Sequence, residues 1–452
     1  MDTVPEPHER SLQRIAYMYR VLQACCFVSW GANVIFMIFG VVFMTELGVS
    51  LSGIFLLNVL VIVVTFFSST ILNRRSDLLK KRKAFMMLAF VLRTAGIFLL
   101  TVGNDIGIFV TYNIVINLLN PISFDVAIVY EIGEAIELLT HEIKGTPVNP
   151  NGATRYYLKY RMFGSLGWAF MAPIAGFFLG LLNEQLASGP GFIGTVGGYR
   201  IFMLLAFALY ATVTVVFMLV YDEARIARVI GASNPARRVE TPAAGLEARP
   251  RAATNAIASR AFALLLVSIF LFQIGASLFQ TPYAIFMKAF SHGNVFYIGI
   301  SYFCSAILEA PLFPVAFWLI KKRGYGFTLA MAYLVEIARV SLTVLVIPLG
   351  IPEIVLPLQM MNSFALRWPS LTHGISVVSH RRKASGINMN LVVEKAGGFV
   401  GSVFGTIMAG ASDDIGTYNL LFAFSLVFLV SNEIAFSVGS ARQGASKKTQ
   451  RR

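Results

Sequence analysis

Arg161, Ser165 and Trp168 are spaced i, i+4, i+7 in the run Lys159-Tyr160-Arg161-Met162-Phe163-Gly164-Ser165-Leu166-Gly167-Trp168, so on a helix they share one face. The run opens a long apolar segment with the character of a membrane span. An arginine drawn into such a segment faces a protein cavity rather than lipid. A guanidinium fork and an indole plate lining one cavity suit a polar ligand. The competing reading is that Arg161 snorkels to the interface and Trp168 fills a helix contact.

Arg93, Asp125, Glu309, Glu336, Arg339, Arg367, Glu394 and Lys395 also fall within apolar segments. Each charge near a helix centre costs roughly 2.5–3.5 kcal/mol, so together they imply pairing, neutralisation or a water-filled cavity. Glu336 and Arg339 are i, i+3 on one face and can pair. Glu309 has no partner on its own helix, which suits a carboxyl that takes up and releases a proton; a structural pair with Arg339 is the alternative. Adjacent Glu394 and Lys395 point about 100° apart and face different neighbours. Asn33, and Asn113, Asn117 and Asn120 on one face, add hydrogen-bonding groups of the kind that join helices. Gly397, Gly398, Gly401 and Gly405 read as a small-residue packing surface.

The elements that hold these residues follow from composition. Hydrophobic residues make up 56% of 452 and charged residues 13%, and mean hydropathy is +0.70. Soluble domains do not reach that balance, so the chain is an all-α integral membrane protein. Apolar stretches fall at about 19–46, 51–72, 84–103, 106–130, 155–182, 199–221, 260–288, 294–319, 326–348, 353–378, 387–410 and 416–439, about twelve spans in all. They form an N-terminal bundle of six (1–221) and a C-terminal bundle of six (260–439). Residues 222–259, rich in Ala, Arg, Pro and Glu, read as a flexible cytoplasmic linker, and 440–452 as a basic tail.

The net charge of +14 is explained by topology rather than by nucleic acid. Arg74, Arg75, Lys80 to Lys83, the linker arginines, Lys321 to Arg323, Arg381 to Lys383 and the tail all fall on one side, expected to be cytoplasmic with both termini. Connectors around Gly48, Asn104, Gly189, Gly293, Gly350 and Asp413 are nearly free of Lys and Arg. The halves echo each other: Asn73 to Lys83 corresponds to Lys321 to Gly324, and each is followed by an arginine inside the next span, Arg93 and Arg339. Such a parallel repeat places a binding site between two bundles.

With these motifs the chain resembles the major facilitator superfamily of secondary transporters over essentially its whole length. Asn73 to Lys83 resembles that superfamily's gating motif, with Asp77 in the acidic and Arg82 and Lys83 in the basic positions, although the usual leading glycine is absent. Arg161 to Trp168 resembles the fifth helix of lactose permease and of related sugar and nucleoside proton symporters. That resemblance implies that Arg161 holds solute hydroxyls and Trp168 stacks on a ring. Glu309 before Ala310-Pro311-Leu312 resembles the eighth-helix acid of the same group, and Arg339 its ninth-helix arginine. The permease spacing back from Arg161 to its fourth-helix acid reaches Ile143, so that role passes to Asp125, Glu131, Glu134 or Glu137, or is absent. Lactose itself is therefore not the expected solute. The tenth span, with Met361, Asn362 and Arg367, lacks the permease's His and Glu pair, so its proton route does not carry across.

The expected function is secondary active transport of a small polar organic solute, sugar- or nucleoside-like, by alternating access and without enzymatic chemistry on the solute: a proton is the expected co-substrate and Glu309, Arg339, Glu394 and Asp125 the coupling candidates. Solute contacts are expected from Arg161, Trp168, Ser165, Asn33 and Asn117, and gating from Asp77 and Arg82. A cell-membrane monomer with no cofactor is expected. An exporter of amphipathic compounds and a non-transporting receptor are the alternatives. No Gly-Lys-Ser or Gly-Lys-Thr phosphate loop and no His/Cys cluster with metal spacing occurs. Cys25, Cys26 and Cys304 lie in apolar segments and form no disulfide framework.

Overall fold

The computed structural model describes residues 8–79, 81–119, 121–145, 147, 152–186, 197–233, 260–378, 383–410 and 414–450; the side chains of some helical residues, Asp77 among them, lie outside the described part. These residues are helical almost throughout, because in lipid a backbone must satisfy its own hydrogen bonds. Among the described residues, ten helices are long and apolar enough to cross a membrane. The fourth span, Ile106–Asn117 then Pro121–Lys144, and the tenth, Pro352–Leu358, a 3₁₀ turn Gln359–Met361 and Phe364–Val378, complete twelve from shorter pieces. Leu56, Phe67, Leu345, Ile407 and Ile434 are among the large apolar side chains turned outward, as a lipid-facing surface requires.

Spans 1 to 3 are His8–Glu46, Leu51–Leu79 and Arg82–Val102; spans 5 and 6 are Gly152–Leu186 and Gly197–Val220. Span 7 is Arg260–Gln280 with Tyr283–Phe290, span 8 Val295–Ile307 with Glu309–Arg323, and spans 9, 11 and 12 are Tyr325–Val346, Lys383–Met408 and Ile415–Gln450. Within the first half, span 1 packs on spans 5 and 6 and span 3 on span 6; within the second, span 7 packs on spans 11 and 12 and span 9 on span 12. The halves meet along span 5 with span 8 and span 2 with span 11.

Breaks recur at matching places in the two halves. Span 1 contains a π turn at Ile35–Phe39, and its counterpart span 7 turns between Gln280 and Tyr283 at Pro282. Spans 4 and 10 are both interrupted. Span 8 bends at Leu308, because Pro311 has no N–H to give to the Ile307 carbonyl. Discontinuous helices in corresponding positions mark where a transporter-like fold lines its cavity.

The region read as an unstructured linker begins differently. Glu223–Ser233 is a helix whose Ile226, Val229 and Ile230 make one apolar face, and Ile226 is buried against the fourth span. That i, i+3, i+4 spacing was masked by the surrounding arginines. Residues 234–259 lie outside the described part.

Candidate functional site

Two adjoining cavities, of about 360 and 390 Å³, lie between the halves and share Met37, Ile38, Gln280 and Tyr302 on their common wall. The first holds the residues with which the sequence reading began. Arg161 lies with its guanidinium carbon 3.9 Å from the centre of the Trp30 ring, and Trp30 and Trp168 are 5.8 Å apart. Tyr302 extends the aromatic lining from span 8, with its ring 6.5 Å from that of Trp168. Arg161 thus turns into the cavity rather than outward to the interface, held against an aromatic face that tolerates its charge.

Glu309 is the polar centre of this cavity. Ser165 Oγ donates to its Oε2 at 2.8 Å, and Asn362 Nδ2 donates to its Oε1 at 3.1 Å. The carboxyl is therefore held by both halves at once, since Ser165 comes from span 5 and Asn362 from the break in span 10. Asn362 itself is fixed by a second bond, from Nδ2 to Ser305 Oγ at 3.0 Å, and its Oδ1 accepts from the Phe364 backbone, which starts the inner piece of span 10.

Arg339 lines the same cavity but is committed elsewhere. It pairs with Glu336, whose other oxygen accepts from Ser363 Oγ at 2.9 Å, and it reaches Gln359 Oε1 at 3.4 Å. Glu336 and Arg339 are 2% and 4% exposed, so this i, i+3 pair is a buried structural bridge, and no direct bond joins Arg339 to Glu309. Asp125 contacts the Tyr160 hydroxyl and lies in electrostatic reach of Arg161 and Arg93. Of the alternatives for a fourth-span acid, Glu131 is taken up by Arg82 at 2.9 Å.

The second cavity is lined by Arg93, Asn58, Asn113, Asn117, Gln273, Glu394 and Lys395 among others. Asn117 lines it while its Nδ2 donates to the Asn113 carbonyl at 2.9 Å. Asn33 lines neither cavity. Its Oδ1 accepts from Tyr210 Oη at 2.6 Å and from Arg93 Nη1 at 3.2 Å, which makes it a support for Arg93 inside the first half. Glu394 is 3.7 Å from Arg367. Both Glu394 and its neighbour Lys395 reach this cavity, although the sequence placed them toward different neighbours.

On the side of the basic connectors, Arg82 ties span 3 to Glu131, while the Arg82 and Lys83 backbone amides donate to Glu223 at 2.5 and 3.4 Å. The Lys83 ammonium donates to the last carbonyls of span 6, at Met218 and Tyr221. Each contact satisfies a helix end with a charge of the right sign. Arg82 is thereby tied within one half; the Asp77 side chain lies outside the described residues. On the opposite side the halves are in close contact. Glu46 pairs with Lys288 across spans 1 and 7, and Gly299 of span 8 sits so near span 5 that a Cβ there would lie 2.4 Å from the Ala172 carbonyl oxygen.

A scan of family models matches residues 19–422 to the MFS_1-like family. The chain belongs to that family. Among solved structures, the nucleoside transporter NupG superposes with a TM-score of 0.65 at 13% identity, covering 94% of this chain and 98% of that one. A bacterial homologue of the human lysosomal transporter Spinster, captured inward-facing and occupied, gives 0.65 at 13% identity over 97% and 98%. A POT family transporter in complex with a thioalcohol-conjugated peptide gives 0.61 at 13% identity over 96% of each chain. At such identities these structures speak for the fold alone. No curated protein sequence matches the chain.

Within this MFS_1-like fold, Arg161, Ser165, Trp168, Glu309 and Arg339 come together around one cavity, and Asn117 and Glu394 around the other. Trp30, Tyr302, Asn58 and Gln273 were not singled out by sequence reasoning. They carry no charge, and a Trp, Tyr, Asn or Gln in a span looks the same whether it faces a cavity or a neighbouring helix.

Proposed function

We propose that this protein is a secondary transporter that moves a small polar organic solute, sugar- or nucleoside-like, by alternating access and in company with a proton. The observation that carries the reading is the position of Glu309, gripped by Ser165 of one half and Asn362 of the other beside Arg161 and its aromatic bed. A rocking motion of the halves must change those bonds, so the protonation of Glu309 and the direction the cavity faces are linked. Trp30 and Trp168 offer stacking faces to a ring and Arg161 a donor fork to its hydroxyls. A membrane potential of ~150 mV supplies roughly 3.5 kcal/mol per proton, enough for a gradient of a few hundredfold.

The conformation is closed on the side poor in Lys and Arg. On the basic side Tyr157 of span 5 lies with its ring 5.7 Å from that of Trp368 of span 10, so the halves also meet there. The test begins with a thermal-stability screen of purified protein against sugars, nucleosides, organic acids and cationic amphiphiles, because a ligand of the folded state stabilises it. The stabilising compound is then assayed for counterflow in proteoliposomes. Counterflow is expected. A ligand that binds tightly and shows none would make the protein a receptor instead, and selective binding of amphiphiles would favour the exporter.

A further inference from the structure

The two cavities are images of each other under the internal repeat. Gly167 of span 5 lies against span 1, where an added Cβ would be 2.0 Å from the Phe27 carbonyl oxygen, and Gly397 of span 11 lies against span 7, 2.5 Å from that of Phe270. Arg93 of span 3 lies over Phe36 of span 1, and Arg339 of span 9 over Phe279 of span 7. These contacts fix the register of the halves. Ser165 corresponds to Lys395, Trp168 to Gly398 and Trp30 to Gln273, and every one of the six lines its own cavity. The first cavity is thus walled by indoles, while in the second the same places hold an amide, a bare glycine and an ammonium.

Charge separates the two cavities further. Arg339 is taken by Glu336, Arg367 lies beside Glu394, and Arg161 lies within electrostatic reach of both Asp125 and Glu309. Among the described residues Arg93 is hydrogen-bonded to the neutral groups of Asn33 and Tyr210, with Asp125 in electrostatic reach and no ion pair formed. It is 5% exposed and its Nε has no hydrogen-bond partner, which is equally true of Arg339 Nε in the first cavity; what sets Arg93 apart is that no carboxylate pairs with it among the described residues. Lys395 makes no hydrogen bond or ion pair among the described residues; Glu394, which also lines the cavity, is its adjacent carboxylate. Two cations that line one cavity without an ion pair among the described residues, one of them with a buried N–H unmatched, suit an anion.

We infer that the cavity between Arg93 and Lys395 is an anion site that holds the carboxylate or phosphate group of the solute, whose polar ring occupies the neighbouring Arg161 cavity. The shared wall at Met37, Ile38, Gln280 and Tyr302 is where one molecule would pass from ring to charged group. This assignment rests on the transport reading only for its word solute; the anion site itself does not depend on movement.

The test compares carboxylates and phosphate monoesters with their neutral amide and alcohol counterparts, including glucuronate against glucose and uridine monophosphate against uridine, by thermal stability and calorimetry on the intact protein. At least one anionic member is expected to bind about ten- to a hundredfold tighter than its counterpart, the worth of one charge-assisted hydrogen bond. Lys395→Gln is expected to remove that preference and leave the neutral member's affinity unchanged, Lys395→Arg to keep it, and Arg161→Gln to weaken both members together. Wild-type protein that prefers no anion overturns the inference. So does a preference that survives Lys395→Gln or disappears in Arg161→Gln alone. Anion binding that behaves as expected without uptake of the compound under any gradient would sustain the site and remove the transport reading.

Discussion

At the scale of single residues, the decisive contrast is between charges that have a partner and charges that have a choice of partners. Arg339 has a committed partner in Glu336 within the second half, whereas Glu309 is held by groups from both halves. Glu309→Gln keeps the shape and fixes a neutral side chain. It is expected to abolish uphill accumulation of the solute and to preserve exchange at equal concentrations, because exchange cycles without net proton release. A mutant that still concentrates its solute in a pH gradient would transfer the coupling role to Asp125 or Glu394. Arg161→Lys, Trp168→Ala and Trp30→Ala are each expected to weaken solute binding about tenfold or more, since a lysine cannot reproduce the planar fork and an alanine offers no ring. Titration calorimetry on protein of normal stability decides this. Arg161, Trp168 and Glu309 were legible in the sequence because a charge or an indole at helical spacing in an apolar run is conspicuous. Asn362 was visible but its grip on Glu309 was not, since that bond joins residues from different spans.

At the scale of elements, the breaks do the positioning. A continuous tenth span would offer no extended backbone at Asn362 from which its amide could reach both Ser305 and Glu309. The number and placement of spans could be read from hydropathy, and so could the pairing of Arg93 with Arg339 as repeats. The helix Glu223–Ser233 could not, because a short amphipathic face inside a basic, proline-bearing stretch is drowned by its surroundings. Close glycine contacts between spans 5 and 8 are likewise invisible in a sequence, where any glycine in a span looks alike. They make a sharp expectation. In Gly299→Ala the added methyl meets the backbone of Ala172 at 2.4 Å, which no rotamer can relieve, so the side of the molecule around Gly293 must open. In a background lacking Cys25, Cys26 and Cys304, a cysteine in place of the buried Ser301 should then react faster with an impermeant thiol reagent supplied on that side. An unchanged rate in well-folded protein would mean that spans 5 and 8 do not hold the closure.

At the scale of the whole molecule, the two halves meet at both ends through different contacts, Tyr157 against Trp368 at the basic end and Glu46 with Lys288 at the other. The charge asymmetry predicts that cysteines near residues 190 and 245 are labelled from opposite sides of the membrane, and labelling of both from one side would overturn the orientation. The end poor in basic connectors carries Glu46 and Lys288, an ion pair between spans 1 and 7 whose side chains are 32% and 24% exposed. A half-exposed pair of this kind contributes about 1 kcal/mol, so breaking it should shift the balance of open and closed states about fivefold toward opening on that side. Glu46→Gln and Lys288→Gln should each produce that shift in spin-label distances measured across the ends of spans 1 and 7. The exchanged pair, Glu46→Lys with Lys288→Glu, restores the attraction with its sense reversed and should return the closed population. High salt should mimic the single substitutions in the wild type and have less effect on them. If the exchanged pair stays as open as either single variant, the contact is a bystander, and closure rests on the packed glycines of spans 5 and 8 alone.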